Sequence, residues 1–406
     1  MRVHLCSNEA PLEAVELPWE TSLGQWPSHL FVDVPRGISR NVVRFAIVRG
    51  SIFALKEIPD QAVSEEYRLL RALRTLEMPV VEPIALFTER ADVSGQTLPG
   101  LLITRFLEFS LPYRILLGGP KQTVHHHHLL DAMAYLLVQL HLAGFYWGDC
   151  SLSNTLFKRD AGGLAAYMVD AETGELHETI SDGMRQYDLE LAEMNIAGEL
   201  MDVASGQGLV EDIDPIETAG ELVSRYFRLW EELNHDELIA RDERFRVEAR
   251  IKRLQGLGFA VDEMELITCD GGHRLVMRPR VVEPGFHRRL LHTLTGLVAE
   301  ENQGRSLLND IYRYRAFLEQ EKDTVLPQSL AAIRWLTDVY QPTIDAVPAE
   351  LRGKLDGPEI FHQILEHRWF MSEKAGRDVG AEEALHSYLE SILPALPSDD
   401  IIGYLE

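Results

Sequence analysis

One change of pattern constrains this chain more than any other feature: near residue 110 strand-like alternation gives way to helical spacing. Upstream, residues 30–34, 42–48, 51–58, 80–87 and 101–106 are short runs rich in β-branched and aromatic side chains. Turn formers such as PRGISRN separate them, and runs of this kind read as strands. One helix is expected among them, because SEEYRLLRALRTLE spaces Leu69, Leu70, Leu73 and Leu76 helically and offers Ser64 as an N-cap. From residue 124 the pattern is helical, broken by a compact loop region over 144–174. Strands first and helices afterwards predict an α+β region, a mostly β lobe followed by a mostly α lobe.

A second, mostly helical domain with one β-hairpin is expected over 210–390, after the small and helix-breaking residues of ASGQGLVEDIDP. Its helices read as 216–233, 236–257, 285–320, 328–340 and 359–374, and CDGG joins a hairpin of 259–268 with 273–280. The net charge of −25 makes the chain a poor partner for nucleic acid or anionic lipid, which need clustered cations. Cys6, Cys150 and Cys269 are sparse and form no CxxC pair, which argues against a disulfide framework or a structural zinc. With no secretion signal at the N-terminus and no 18-residue apolar run, the expectation is a cytoplasmic protein without a transmembrane segment.

The chemistry concentrates in two stretches. FYWGDCSLSNTLF sets Asp149 and Asn154 five positions apart, and AAYMVDAETGEL sets Asp170 at the end of an apolar strand. Phosphoryl transfer on the kinase plan needs one carboxylate to accept the attacking hydroxyl's proton. It also needs an amide oxygen and a second carboxylate to hold magnesium over the nucleotide phosphates. An Asp and an Asn with four residues between them have the spacing of that catalytic loop.

HLAGFYWGDCSLSNTLF resembles the catalytic loop of the lipopolysaccharide kinases and small-molecule phosphotransferases of the protein-kinase-like superfamily. Those enzymes often carry a glycine, here Gly148, where protein kinases carry arginine. The resemblance implies a two-lobed, α+β protein-kinase-like fold over residues 25–205, with a β-rich N-lobe and an α-helical C-lobe. It also implies ATP and Mg2+ as cofactors, Asp149 as base, and Asn154 and Asp170 as metal ligands. It makes Lys56 of FALKEI the phosphate-pairing lysine and Glu66 its helix partner, with Glu65 as the neighbouring alternative. Ile103, Thr104, Arg105 and Phe106 become the hinge strand that meets adenine through backbone groups. Two departures stand out. Asp-Phe-Gly is replaced by Asp170-Ala171-Glu172, where Glu172 either adds a ligand or, as preferred, faces solvent. The glycine-rich lid is reduced to Gly37, with Ser39 or Arg40 as the compensating residue. Downstream, GFHRRLLHTLTGLVAEENQGRSLLNDIYRYRAFLE and FHQILEHRWFMSEKAGRDV resemble a domain of unknown function (family 4032) found after such kinase-like domains in actinobacterial proteins. That resemblance implies no activity.

Other polar clusters have plainer readings. His125 to His128 are expected at a solvated helix start, since successive helical positions diverge by about 100° and cannot share one ion. His362, Glu366 and His367 have HxxxEH spacing, which is not a zinc-protease motif, so helix-surface and capping roles are expected. Arg278, Arg280, Arg288 and Arg289 with His273 and His287 read as ion-pairing residues, with an anion site as the alternative. Residues 241–253 read as a solvated helix face. Two functions remain. One is a phosphotransferase that uses ATP and Mg2+ on a hydroxyl of a small molecule, sugar or lipid-linked glycan. The other is a pseudokinase, a nucleotide-binding or scaffolding module whose C-terminal helices bind a protein partner.

Overall fold

The computed structural model describes residues 1–5, 17–32, 34, 41–117, 126–206, 213–235, 237–240, 245–257, 259–261, 264–269, 274–279 and 282–396. They form two compact units, Met1–Lys158 with Ala166–Tyr226, and Arg159–Ala165 with Phe227–Asp400. The fold is mixed α/β, strand-rich at the N-terminus and helical towards the C-terminus.

The first unit is built on a six-stranded sheet in the order Arg2–Leu5, Pro83–Thr88, Gly100–Arg105, Ser51–Ile58, Val42–Val48, Phe31–Val32. Every neighbouring pair is antiparallel. The pleat of Ser51–Ile58 sends alternate side chains to opposite faces. Phe53 and Leu55 face a cluster with Trp19, Leu23 and Trp26, in which Trp19 stacks on Phe87 at 4.0 Å. Glu57 lies on the same face and is buried, so it needs a partner. Arg90 Nη1 donates to its Oε1 at 2.9 Å, and Ser22 Oγ donates to its Oε2 at 2.8 Å. The remaining Arg90 donors reach the carbonyls of Trp19, Thr21 and Pro99. Lys56, one residue earlier, points to the other face.

Several elements differ from the sequence expectation. The helix Asp60–Thr75 starts directly after Pro59, and Ser64 sits inside it, donating to Asp60 O at 2.7 Å instead of capping. Proline before an acid begins this helix a turn earlier than the Ser64 reading allowed. The strand expected at 80–87 begins at Pro83, while Val80 makes only an isolated bridge to Met168. The loop region 144–174 contains a hairpin, Thr155–Asp160 with Gly163–Met168, whose turn carries Ala161 and Gly162 at positive φ. His126–Leu142 precedes it and Asp182–Gly206 follows it.

In the second unit the helix expected over 236–257 is a strand, Glu237–Ala240, and a helix, Phe245–Gly256. Pairing of Glu237–Ala240 with Arg274–Pro279 overrides the local helical pattern. Met264–Cys269 completes that sheet and forms the expected hairpin with Arg274–Pro279, whereas Phe259–Val261, expected in its first strand, pairs with Val282–Pro284. Its CDGG turn is outside the described residues except for Cys269. The helix expected over 285–320 is interrupted, because Gly296 ends Phe286–Thr295 in a left-handed conformation and Glu301–Lys322 starts afresh. Leu291, Leu307, Ile311, Trp335 and Phe361 are buried together between these helices, Gln328–Trp335 and Gly357–Ala375.

Candidate functional site

Three elements of the first unit converge on Lys56. Its Nζ donates to Glu66 Oε1 and Oε2 at 3.1 and 2.9 Å and to Asp170 Oδ2 at 2.7 Å. Glu66 reaches it because Val63, Glu66, Tyr67, Leu70 and Leu73 share the buried stripe of the Asp60–Thr75 helix. Glu65 lies on the exposed side, paired with Arg68. Burial opposes the charge on Lys56, yet the carboxylates of Glu66 and Asp170 outweigh it and hold the ammonium well above its ordinary pKa. Burial, with the Asp170 charge beside it, pushes Glu66 up to about 7 against the pull of Lys56.

Glu172 does not simply face solvent. Its Oε2 lies 3.5 Å from Lys56 Nζ and accepts from Asn41 Nδ2 at 3.2 Å. Carboxylate oxygens of Glu66, Asp170 and Glu172 come within 4.8 Å of one another, a hard-oxygen set able to hold a divalent cation. Its turn is fixed locally, since Glu172 N donates to Asp170 Oδ1 at 3.0 Å.

Asp149 and Asn154 meet at the other end of the site. Asn154 Nδ2 donates to Asp149 O at 3.0 Å and Oδ2 at 3.1 Å. Its amide oxygen therefore faces away from Asp149. Asn154 O accepts from Val169 N at 3.0 Å, which sets Asn154 beside the chain entering Asp170. Asn195 Nδ2 donates to Asp149 Oδ1 at 3.2 Å and to Cys150 O at 3.1 Å. Reversing that amide would oppose an oxygen to two oxygens, so its orientation is fixed. Cys150 is fully buried, and burial followed by the nearby carboxylates pushes its thiol up, which removes it as a nucleophile.

Sequence reasoning missed what holds this loop. Asp188, Asn195 and Glu199 lie on one face of Asp182–Gly206, two and then one helical turns apart. Asp188 Oδ2 accepts from Trp147 N at 2.8 Å and Oδ1 from Gly148 N at 2.8 Å. Glu199 accepts from Leu152 N at 2.7 Å and Ser153 N at 3.0 Å. His141 Nε2 lies 3.1 Å from Asp188 Oδ2, and its Nδ1 lies 2.7 Å from Tyr226 Oη. Polar residues at a helical interval inside ELAEMNIAGEL were the available signal. Gly148 is required at φ 75°, where a Cβ would sit 3.0 Å from Thr173 O.

The hinge residues are placed differently from the rest. Ile103 and Thr104 lie in an interior strand, laddered on both sides. The amides of Arg105 and Phe106 donate to Glu82 O at 2.8 Å and Ile52 O at 3.0 Å. Their amides are thus used within the sheet, and the chain leaves it at Leu107. Gly37, Ser39 and Arg40 are outside the described residues, as are His125, His273, Arg280 and Cys6.

The remaining clusters disperse. His362 meets Ser306 and His367 meets Ser387, with Glu366 exposed, so the three share no ligand. Arg289 pairs with Glu283 and His287 with Glu301. Arg250 is buried and donates to the carbonyls of Glu232 and His235, so the 241–253 face is not wholly solvated. Among the described residues, no helix is long and apolar enough to cross a membrane.

Residues 47–199 match the lipopolysaccharide kinase (Kdo/WaaP) family, and residues 228–393 match a domain of unknown function, DUF4032. Among solved structures, WaaP in complex with acyl carrier protein is similar at 18% identity and a TM-score of 0.37, covering 63% of this chain and 99% of that one. No curated protein matches the sequence.

Proposed function

We propose that the kinase-like domain, residues 25–205 within the first unit, is a phosphotransferase that uses ATP and Mg2+ to phosphorylate a hydroxyl of a small molecule, sugar or lipid-linked glycan. The observation that carries this reading is the bonding of Lys56 to both Glu66 and Asp170, which joins a strand, a helix and a strand-end carboxylate at one point. The match of residues 47–199 to a kinase family supports it. Lys56 pairs with nucleotide phosphates, and Glu66 keeps it aimed at them. Asp170 and the outward oxygen of Asn154 suit magnesium by donor type, with Glu172 as a further carboxylate. Bound magnesium supplies neutralisation of phosphate charge. Asp149, steered by the amides of Asn154 and Asn195, accepts the proton of the acceptor hydroxyl. Because the amides of Arg105 and Phe106 are engaged in the sheet, the backbone from Leu107 onward is the candidate adenine contact.

Asp149→Asn tests the assignment. Parent protein binds Mg-ATP and consumes it with an acceptor, or slowly alone. The variant loses turnover by about a hundredfold or more while nucleotide affinity changes little. Mg-ATP binding without turnover on sugar, amino-alcohol and glycolipid panels would select the pseudokinase reading. Absence of binding would defeat both.

A further inference from the structure

The hairpin flanked by Asn154 and Asp170 does not end in the unit where it begins. Its arms are Thr155–Asp160 and Gly163–Met168, and its tip, Arg159–Ala165 with the turn at Ala161 and Gly162, belongs to the second unit. There Asp160, buried to 2% exposure, accepts from Asn302 N at 3.1 Å, Asn302 Nδ2 at 3.0 Å and Gln303 N at 2.8 Å. Those backbone amides open the Glu301–Lys322 helix, where no intrahelical carbonyl can satisfy them and a carboxylate complements the helix dipole. Gln303 Nε2 donates to Arg159 O at 3.0 Å, and Ala161 N donates to Glu359 Oε2 at 2.9 Å. Three consecutive residues of the tip are therefore bonded to the ends of two helices. Ala161 also holds φ 50°, a conformation that a non-glycine residue keeps only where its surroundings enforce it.

Thr155–Asp160 is held on its other side by Ser110–Pro112, but Gly163–Met168 is the edge strand of this three-stranded sheet, bonded beyond the hairpin at Met168. A slip of one residue in it reverses the face of its side chains. We propose that Asp160 is a positioning residue: by anchoring the hairpin turn in the second unit, it fixes the register that keeps Asn154 beside Asp170. This rests on the reading of those two residues as metal ligands.

Two measurements on full-length Asp160→Ala test it. Hydrogen exchange at Val169, whose amide donates to Asn154 O, reads the register without nucleotide. It should accelerate by at least about tenfold, while amides inside His126–Leu142 keep their parent rates. In titrations with ATP, the gain in affinity conferred by Mg2+ should fall at least about fivefold, with affinity in EDTA unchanged within about twofold. Asp160→Asn, which retains one acceptor oxygen, should rescue part of both effects. Unchanged Val169 exchange in a folded variant overturns the proposal, as does an equal loss of affinity with and without Mg2+. Should Asp160→Ala fail to fold, Glu359→Gln is read in the same way, and unchanged exchange there is equally fatal. If the parent binds no Mg-ATP, the phosphotransferase reading fails, while Val169 exchange still decides whether the turn is the anchor.

Discussion

Asp188→Asn isolates the support of the catalytic loop, since it changes one atom and removes one charge. The carboxylate faces Trp147 N and His141 through Oδ2 and Gly148 N through Oδ1, with no solvent access. An asparagine must place its NH2 at one of those positions. At the Oδ2 position it opposes Trp147 N–H; His141 can adapt by exchanging tautomers with Tyr226 as acceptor, but the backbone amide cannot. At the Oδ1 position it opposes Gly148 N–H. Either orientation orphans one buried amide, at about 1–3 kcal/mol, and the surviving bonds lose their charge assistance. The expected loss is about 2–4 kcal/mol, which lowers the melting temperature by about 4–16 °C for a domain of this size. Scanning calorimetry reads that shift, and hydrogen exchange at Trp147 and Gly148 locates it. A loss below about 0.5 kcal/mol, with both amides still protected, would refute the account of how the loop is held.

Asp170→Ala should abolish the dependence of ATP affinity on Mg2+, read by calorimetric titration. Arg90→Ala should cost about 3–5 kcal/mol in denaturant unfolding followed by tryptophan fluorescence, because Glu57 stays buried without its cation. Asp160 should give the second unit a pH signature, since burial and then the Glu300 charge raise its carboxyl to about 7, outweighing the amide bonds from Gln303 and Asn302. A folded value above the unfolded one means stabilisation that is complete below about pH 4 and lost as pH rises to about 7, at most about 4 kcal/mol. The parent's stability margin over Asp160→Asn should therefore shrink across that range; a constant margin would contradict it.

What the sequence disclosed follows the range of the forces involved. Lys56 and Glu66 were assigned through the resemblance, on a strand and a helix that local patterns do disclose, and the two side chains meet at 2.9 Å. Asp149 and Asn154 were legible from spacing alone, as a five-residue loop closes on itself through Asn154 Nδ2. Asp188 and Glu199 were not, because each is some forty residues or more from the amides it satisfies. The hairpin after Asn154 was hidden by its small residues, and Glu237–Ala240 by a partner strand well downstream in sequence. Glu172 was misjudged because its orientation depends on Lys56 and Asn41, which arrive from the sheet.

The pairing of Glu57 with Arg90 has a consequence for the history of the chain. Either residue alone in that interior is a buried charge, whereas an apolar pair of similar volume can be tolerated. Lineages cannot pass between the two arrangements by single substitutions without crossing a destabilised intermediate. Related sequences should carry both charges or neither. Because Glu57 adjoins Lys56 on the same strand, the loss of both charges should be rarest where the lysine is retained.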